Sequence, residues 1–328
     1  MNNSIYPWQK EAWEQLLELR ARLPQALLVH GPEGIGKLAL AEHFAQLLLC
    51  ETAGKLRTPC GTCDGCRWYL AGTHPDIRRL EPESLARLRD SGEEQDEATT
   101  TASRTQKPST EIKIDQVRSL DGFLNLRSHR GGQRVVLVHP AEEMNLNAAN
   151  ALLKGLEEPQ AQAHFILVSH RPARLLPTIR SRCVALPVAL PDAAAAGSWL
   201  KAQGALDWEA WLAFAGGAPL RALEYASEAR EAIARLRKAL QAKDLDALGA
   251  VNDRAQVEAL AEVLQKHALS VAIASYCGRS RYEQAEGSAQ AAAWLRYARQ
   301  MGRNRLLASH PLNPRLFAGE MIAGMPKN

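Results

Sequence analysis

Four cysteines stand close together at Cys50, Cys60, Cys63 and Cys66. Four thiolates close a tetrahedral shell around zinc, and C-x2-C pairs give the short chelate turn that such a shell uses. Gly61, Thr62, Asp64 and Gly65, between the ligands, suit tight turns. An all-protein shell with no position left for water reads as structural zinc. An iron–sulfur cluster takes the same ligands, and four unliganded thiols are the third reading. Metal analysis separates the three. Cys183 and Cys277 are isolated.

A second motif is Gly31-Pro-Glu-Gly34-Ile-Gly36-Lys37. It fits G-x-x-x-x-G-K, the loop whose backbone N–H groups and lysine cradle phosphates. The next position should carry a Ser or Thr hydroxyl to hold magnesium. Here it is Leu38, which has no oxygen to offer. A later apolar strand should end in an Asp that also holds the metal. The candidate, Val135–Val138, runs into His139-Pro140, and the nearest acids are Glu142 and Glu143 beyond it. Phosphoryl transfer depends almost wholly on positioning and charge neutralisation. With both metal-holding parts missing, the expectation is a phosphate-loop domain without ATP hydrolysis. Whether Gly31, Gly34, Gly36 and Lys37 still bind nucleotide stays open at this point.

A third group is basic: Arg171, Arg174, Arg180 and Arg182, the last within Ser181-Arg182-Cys183. On composition alone this is a proline-containing loop with solvated arginines. The functional alternative is an arginine that stabilises charge at a neighbouring subunit's γ-phosphate. Arg221 follows Gly216-Gly-Ala-Pro219 and opens a predicted helix. It either reaches back over the phosphate loop or is surface charge. The nine histidines show no ligand spacing, and tryptophans such as Trp8, Trp13, Trp199, Trp208 and Trp211 read as packing anchors.

These groups need a scaffold. Ala26–His30, Arg134–Val138 and His164–Ser169 are continuous apolar runs. Helical patterns at 8–22, 38–49, 112–126 and 147–157 alternate with them. That alternation predicts a parallel sheet covered by helices. Residues 91–110 hold no aliphatic side chain larger than alanine and no aromatic, and read as a flexible surface insertion. After about residue 187 the pattern is helical throughout. The expected division is 1–187 as an α/β domain, 188–228 as a small helical domain and 229–328 as a C-terminal helical domain. Apolar stripes such as Leu236, Leu240, Leu245 and Leu248, and Trp294, Ala298, Met301 and Leu306, read as inner bundle faces.

The chain has 328 residues, 46% hydrophobic and 23% charged, with a net charge of +4. Collagen-like, wholly disordered and disulfide-scaffold classes are excluded. No apolar run is long enough to span a membrane and no secretory leader is visible, so the expected compartment is the cytoplasm. The weak positive charge does not favour a stand-alone DNA-binding module with a zinc knuckle.

Taken together, Leu27–Lys37, the four cysteines with Gly72-Thr-His-Pro-Asp76, and His129-Arg-Gly-Gly132 form a specific combination. To it belong Pro140–Asn145, Asn150-Ala-Leu-Leu-Lys154-x-Leu-Glu-Glu-Pro159 and Leu175–Cys183. The combination resembles the clamp-loader subunits of bacterial DNA polymerase III, within the AAA+ family. The resemblance implies a RecA-like α/β domain with a zinc module, a helical lid and a helical collar. It implies a five-subunit ring with gamma/tau and delta subunits that loads the sliding clamp on primed DNA. It further implies a non-hydrolysing stator role, with Arg182 between Ser181 and Cys183 reaching a neighbour's ATP site. Gly31, Gly34, Gly36, Lys37, Leu38 and Arg221 would then form a degenerate nucleotide site. An active gamma/tau-like ATPase is the alternative. It needs Ser or Thr at position 38 and an acidic pair at 139–140.

Overall fold

Three strands carry the most apolar runs of the chain, β1 (Ala26–His30), β3 (Arg134–Val138) and β4 (Ala163–Ser169). Strands buried on both faces must be apolar at every position, which a parallel sheet under two helical layers demands. Two short strands complete the sheet, β2 (Ile77–Leu80) and β5 (Val184–Pro187), in the order β2-β3-β4-β1-β5. All pairings are parallel, with Leu28 opposite Leu167 and Val136 opposite Phe165. The computed structural model describes residues 5–52, 54, 56–90, 108–125, 132–157, 162–227, 231–277, 288–308, 310 and 313–326.

Around the sheet lie α1 (Lys10–Ala21), α2 (Lys37–Leu49), α3 (Asp64–Leu70), α4 (Glu83–Asp90), α5 (Ile114–Arg118), α6 (Leu120–Asn125), α7 (Leu146–Glu157) and α8 (Pro177–Arg180). One sheet face packs against α5, α6 and α7 through Val136, Phe165, Leu167, Val117, Leu152 and Leu156, all buried. Each such side chain contributes roughly 1.5–3 kcal/mol on leaving water. The helix expected over 112–126 is two, because the chain turns at Ser119, whose hydroxyl donates to the Gln116 carbonyl at 2.7 Å. Of the insertion expected at 91–110, residues 91–107 lie outside the described residues. Ser109 accepts from the Ser84 amide at 3.0 Å.

The chain divides into two compact units, Met1–Asp192 and Ala193–Asn328. The second is helical in its described residues: α9 (Ala193–Ala202), α10 (Trp208–Phe214), α11 (Pro219–Ala226), α12 (Glu231–Gln241), α13 (Leu245–Gly249), α14 (Arg254–Cys277), α15 (Ser288–Leu307) and α16 (Pro314–Ala323). Leu200, Trp211, Phe214 and Tyr225 share one core with Leu236, Leu260, Leu264, Trp294, Met301 and Met321. Both stripes read from the sequence face inward only in part, since Leu245 and Leu306 are exposed. Leu306 lies in the final turn of α15. No helix among the described residues is long and apolar enough to cross a membrane.

Candidate functional site

The phosphate loop leaves β1 at Gly31 with φ +150°, and a Cβ there would lie 2.1 Å from the Val188 carbonyl oxygen. Only glycine lets the chain pass. Gly36, at φ +82°, starts α2, and a Cβ there would meet the Tyr6 ring at 2.4 Å. The N-terminal turn lies against this loop. Trp8 Nε1 donates to the Ile35 carbonyl at 3.0 Å, and Gln9 Nε2 to the Ile35 and Gly36 carbonyls at 3.0 and 2.8 Å.

Lys37 is buried and its Nζ donates to the Pro32 carbonyl at 2.5 Å. Burial pulls its pKa down to about 8 against the opposing pull of Glu142 and Glu33. Leu38 is half-buried in the first turn of α2. Residues that follow β3 and β4 stand near enough to Lys37 to feel its charge. His139 and His170 meet edge to face with ring centroids 5.3 Å apart. Burial first, then the neighbouring His170 charge, lowers His139 to about 4. Burial and Lys37 lower His170 as well. Both rings are therefore neutral at pH 7.

Glu142, in a single 3-10 turn after β3, is buried. Its Oε1 accepts from the amides of His170 and Arg171 at 2.8 and 3.0 Å. Burial alone would raise its pKa, but hydrogen bonds from its own amide, the Ser169 hydroxyl and the His170 amide outweigh burial and hold it below the ordinary carboxylate value. This acid is spent on fixing the start of the arginine loop. Glu143 faces Arg174 at 3.8 Å. The loop thus keeps its lysine, buried against the Pro32 carbonyl, while the side chains at positions 38 and 139 offer a metal no oxygen.

The four cysteines converge. Cys50 ends α2, Cys63 caps α3 and Cys66 lies in its first turn. All four Sγ atoms lie within 4.8 Å of one another. Cys60 and Cys66, and Cys63 and Cys50, have sulfurs 3.9 Å apart. A tetrahedron with Zn–S bonds of ~2.3 Å has S···S edges of ~3.8 Å. Backbone amides of Cys60, Thr62, Cys63 and Cys66 donate to sulfur at 3.3–3.5 Å. The bonds Cys60 accepts, from the Thr52 side chain first and then from the Cys63 and Thr62 amides, hold its thiol down to about 5. Burial pushes Cys66 up. The spacing, donor set and amide pattern fit a tetrahedral metal.

The arginine loop ends in one turn of helix, α8, started by Pro177. Ser181 Oγ and Arg182 Nη1 both donate to the Thr178 carbonyl at 3.0 Å. Arg182 Nη2 lies 2.6 Å from Glu157 Oε1, and the arginine side chain stays 36% exposed. Cys183 packs against the sheet core, and burial raises its thiol to about 11, so it is a neutral anchor. Ser181 and Arg182 thus close the α8 turn through the Thr178 carbonyl, and Cys183 packs inward.

Arg221 belongs to the second unit. It stands in α11 over the Tyr225 ring and pairs with the buried Glu262 of α14 at 3.4 Å. Glu262 also accepts from the Tyr225 hydroxyl and faces Lys266 at 4.0 Å and Arg305 at 3.6 Å. In the sequence Glu157 reads only as part of the Asn150–Pro159 motif, with no role of its own, and Glu262 is not singled out, although an acid amid Ala259-Leu260-Ala261 and Val263-Leu264 is a signal.

The parallel sheet, the glycine loop after β1 and the helical second unit define an AAA+ module of the clamp-loader kind. The family model described as DNA polymerase III, delta subunit, matches residues 8–191. The chain is 46% identical over 222 residues to the DNA polymerase III subunit delta' of Pseudomonas aeruginosa, and the match covers 66% of this chain and 60% of that protein. It is 34% identical over 223 residues to the delta' subunit of Escherichia coli, covering 66% of this chain and 60% of the relative. A DNA polymerase III subunit tau from Salmonella typhimurium is 33% identical over 50% of this chain and 21% of its own length. A gamma-subunit-related protein of Thermotoga maritima superposes with a TM-score of 0.49 at 17% identity, over 94% of this chain and 97% of that one. The chain belongs to the DNA polymerase III delta-prime family. It matches about 60% of the length of the delta' relatives named here.

Proposed function

We propose that the chain is the non-hydrolysing stator of a DNA polymerase III clamp loader. It works in a hetero-pentamer with gamma/tau and delta subunits, which loads the sliding clamp on primed DNA. The chain meets DNA and clamp through that assembly and contributes to a DNA-directed DNA polymerase only as one of its parts. Arg182 reaches the ATP site of a neighbouring gamma/tau subunit and neutralises charge that builds on the γ-phosphate. Residues 188–228 act as lid and 229–328 as collar. The working compartment is the cytoplasm.

The observation that carries this reading is the set of side chains around the glycine loop. A loop of the right shape keeps Lys37, but Leu38 and two neutral imidazoles stand where a magnesium grip would be. Such a site can hold an anion but has no means to place a metal and water for hydrolysis. The family membership supports the assembly. The cysteine module supports structural zinc held by Cys50, Cys60, Cys63 and Cys66, which would lock the end of α2 to α3.

The decisive measurement is ATP turnover. The purified chain with magnesium and ATP should show none. A loader reconstituted with the Arg182→Ala chain should assemble, while its DNA-stimulated ATPase falls severalfold. Magnesium-dependent turnover by the chain alone, abolished by Lys37→Ala, would overturn the stator reading. Elemental analysis should return one zinc per chain, lost in Cys66→Ser; iron or no metal would remove zinc from the account.

A further inference from the structure

We infer that Glu157 is a positioning residue for Arg182, setting the guanidinium in its reaching geometry before any neighbour arrives. The inference rests on the reading of Arg182 as a residue that acts in trans.

Glu157 is the last residue of α7. The carbonyl end of a helix carries partial negative charge, so a carboxylate there is disfavoured unless a cation answers it. Arg182 supplies that cation, with Nη2 on Glu157 Oε1 at 2.6 Å. On its other terminal nitrogen, Nη1 donates to the Thr178 carbonyl at 3.0 Å. The guanidinium is therefore pinned from two elements, α7 and α8. A guanidinium has five N–H donors in a fixed plane; Thr178 takes one, and the Glu157 ion pair engages one end. The rest remain for phosphate oxygens, and the side chain is still 36% exposed. The pair is a presenting clamp and not a buried lock.

A long arginine loses rotamer freedom when it binds, and that cost falls if the side chain is already held. An exposed ion pair does little for stability, so the benefit of this one would appear in catalysis. Loss of the clamp should therefore lower the rate at saturating ATP more than it weakens ATP binding.

The test uses the loader reconstituted with wild-type chain, E157Q, R182A and the double variant, read as DNA-stimulated ATPase. E157Q should lower kcat by about threefold to tenfold with the KM for ATP little changed. In the R182A background the same E157Q substitution should change nothing, because its effect passes through the arginine. A loss with E157Q that persists without Arg182 would assign Glu157 a merely structural role and overturn the inference. Unchanged kcat in E157Q beside a clear loss in R182A would also overturn it and leave the trans-acting arginine intact. Unchanged ATPase in R182A would remove that reading and Glu157 with it.

Discussion

Two clusters of charge, one in each unit, treat burial in opposite ways. Around the glycine loop of the first unit, Lys37 bonds to a neutral carbonyl, and the two neighbouring imidazoles are held uncharged. In the second unit, the buried Glu262 collects Arg221, Lys266, Arg305 and the Tyr225 hydroxyl from α11, α14 and α15. The second cluster is ion-paired among its own neighbours and acts as a tie between helices. The first keeps a buried cation that bonds to the Pro32 carbonyl and feels Glu142 and Glu33 without a direct ion pair among the described residues.

Substitution can break this contrast. Glu262→Ala should cost about 3 kcal/mol, near the low end for breaking a buried pair, because the three cations keep some access to water. Urea unfolding of the full chain measures it, and a loss below about 1 kcal/mol would show that Glu262 is no tie. Acid should strike the residues around the glycine loop. His139 has a folded pKa of about 4 against an ordinary histidine value of 6.5. Its contribution is present above pH 6.5 and is lost as pH falls toward 4, about 2 kcal/mol between pH 7 and pH 5. His139→Asn should flatten that part of the stability–pH curve. Lys37→Met should stabilise the chain at pH 7 by about 1 kcal/mol, since a buried charge with no direct ion pair among the described residues leaves. The gain should shrink above pH 8, where native Lys37 itself loses its proton. Arg182→Ala comes last in stability, within about 0.5 kcal/mol by the measure of an exposed pair, although its effect on a reconstituted loader should be large.

The long apolar strands and the loop between β1 and α2 were legible in the sequence because each has its own periodicity or motif. The cysteine set was legible because its spacing is a chelate pattern. β2 and β5 were not. Both are four residues long and lie at the two edges of the sheet. There one flank is unpaired, and polar residues such as Arg78 and Arg79 are tolerated. The break at Ser119 was hidden inside a helical pattern that reads straight through it. Glu142 was visible as an acid beyond β3, but its bonds to the amides of His170 and Arg171 depend on strand order, which no local spacing reports. Glu262 needed three helices to meet before its role existed.

The contact between Gly31 and the Val188 carbonyl has a mechanical meaning. Val188 donates its own amide to the His30 carbonyl at 2.7 Å, so the chain leaving β5 is stitched to the entrance of the phosphate loop. Any reshaping of that entrance would pull on the strand's exit just before the first unit ends at Asp192. With the loop braced from its other side by Gln9 and Trp8, the first unit grips this turn at its entrance and at its far end alike.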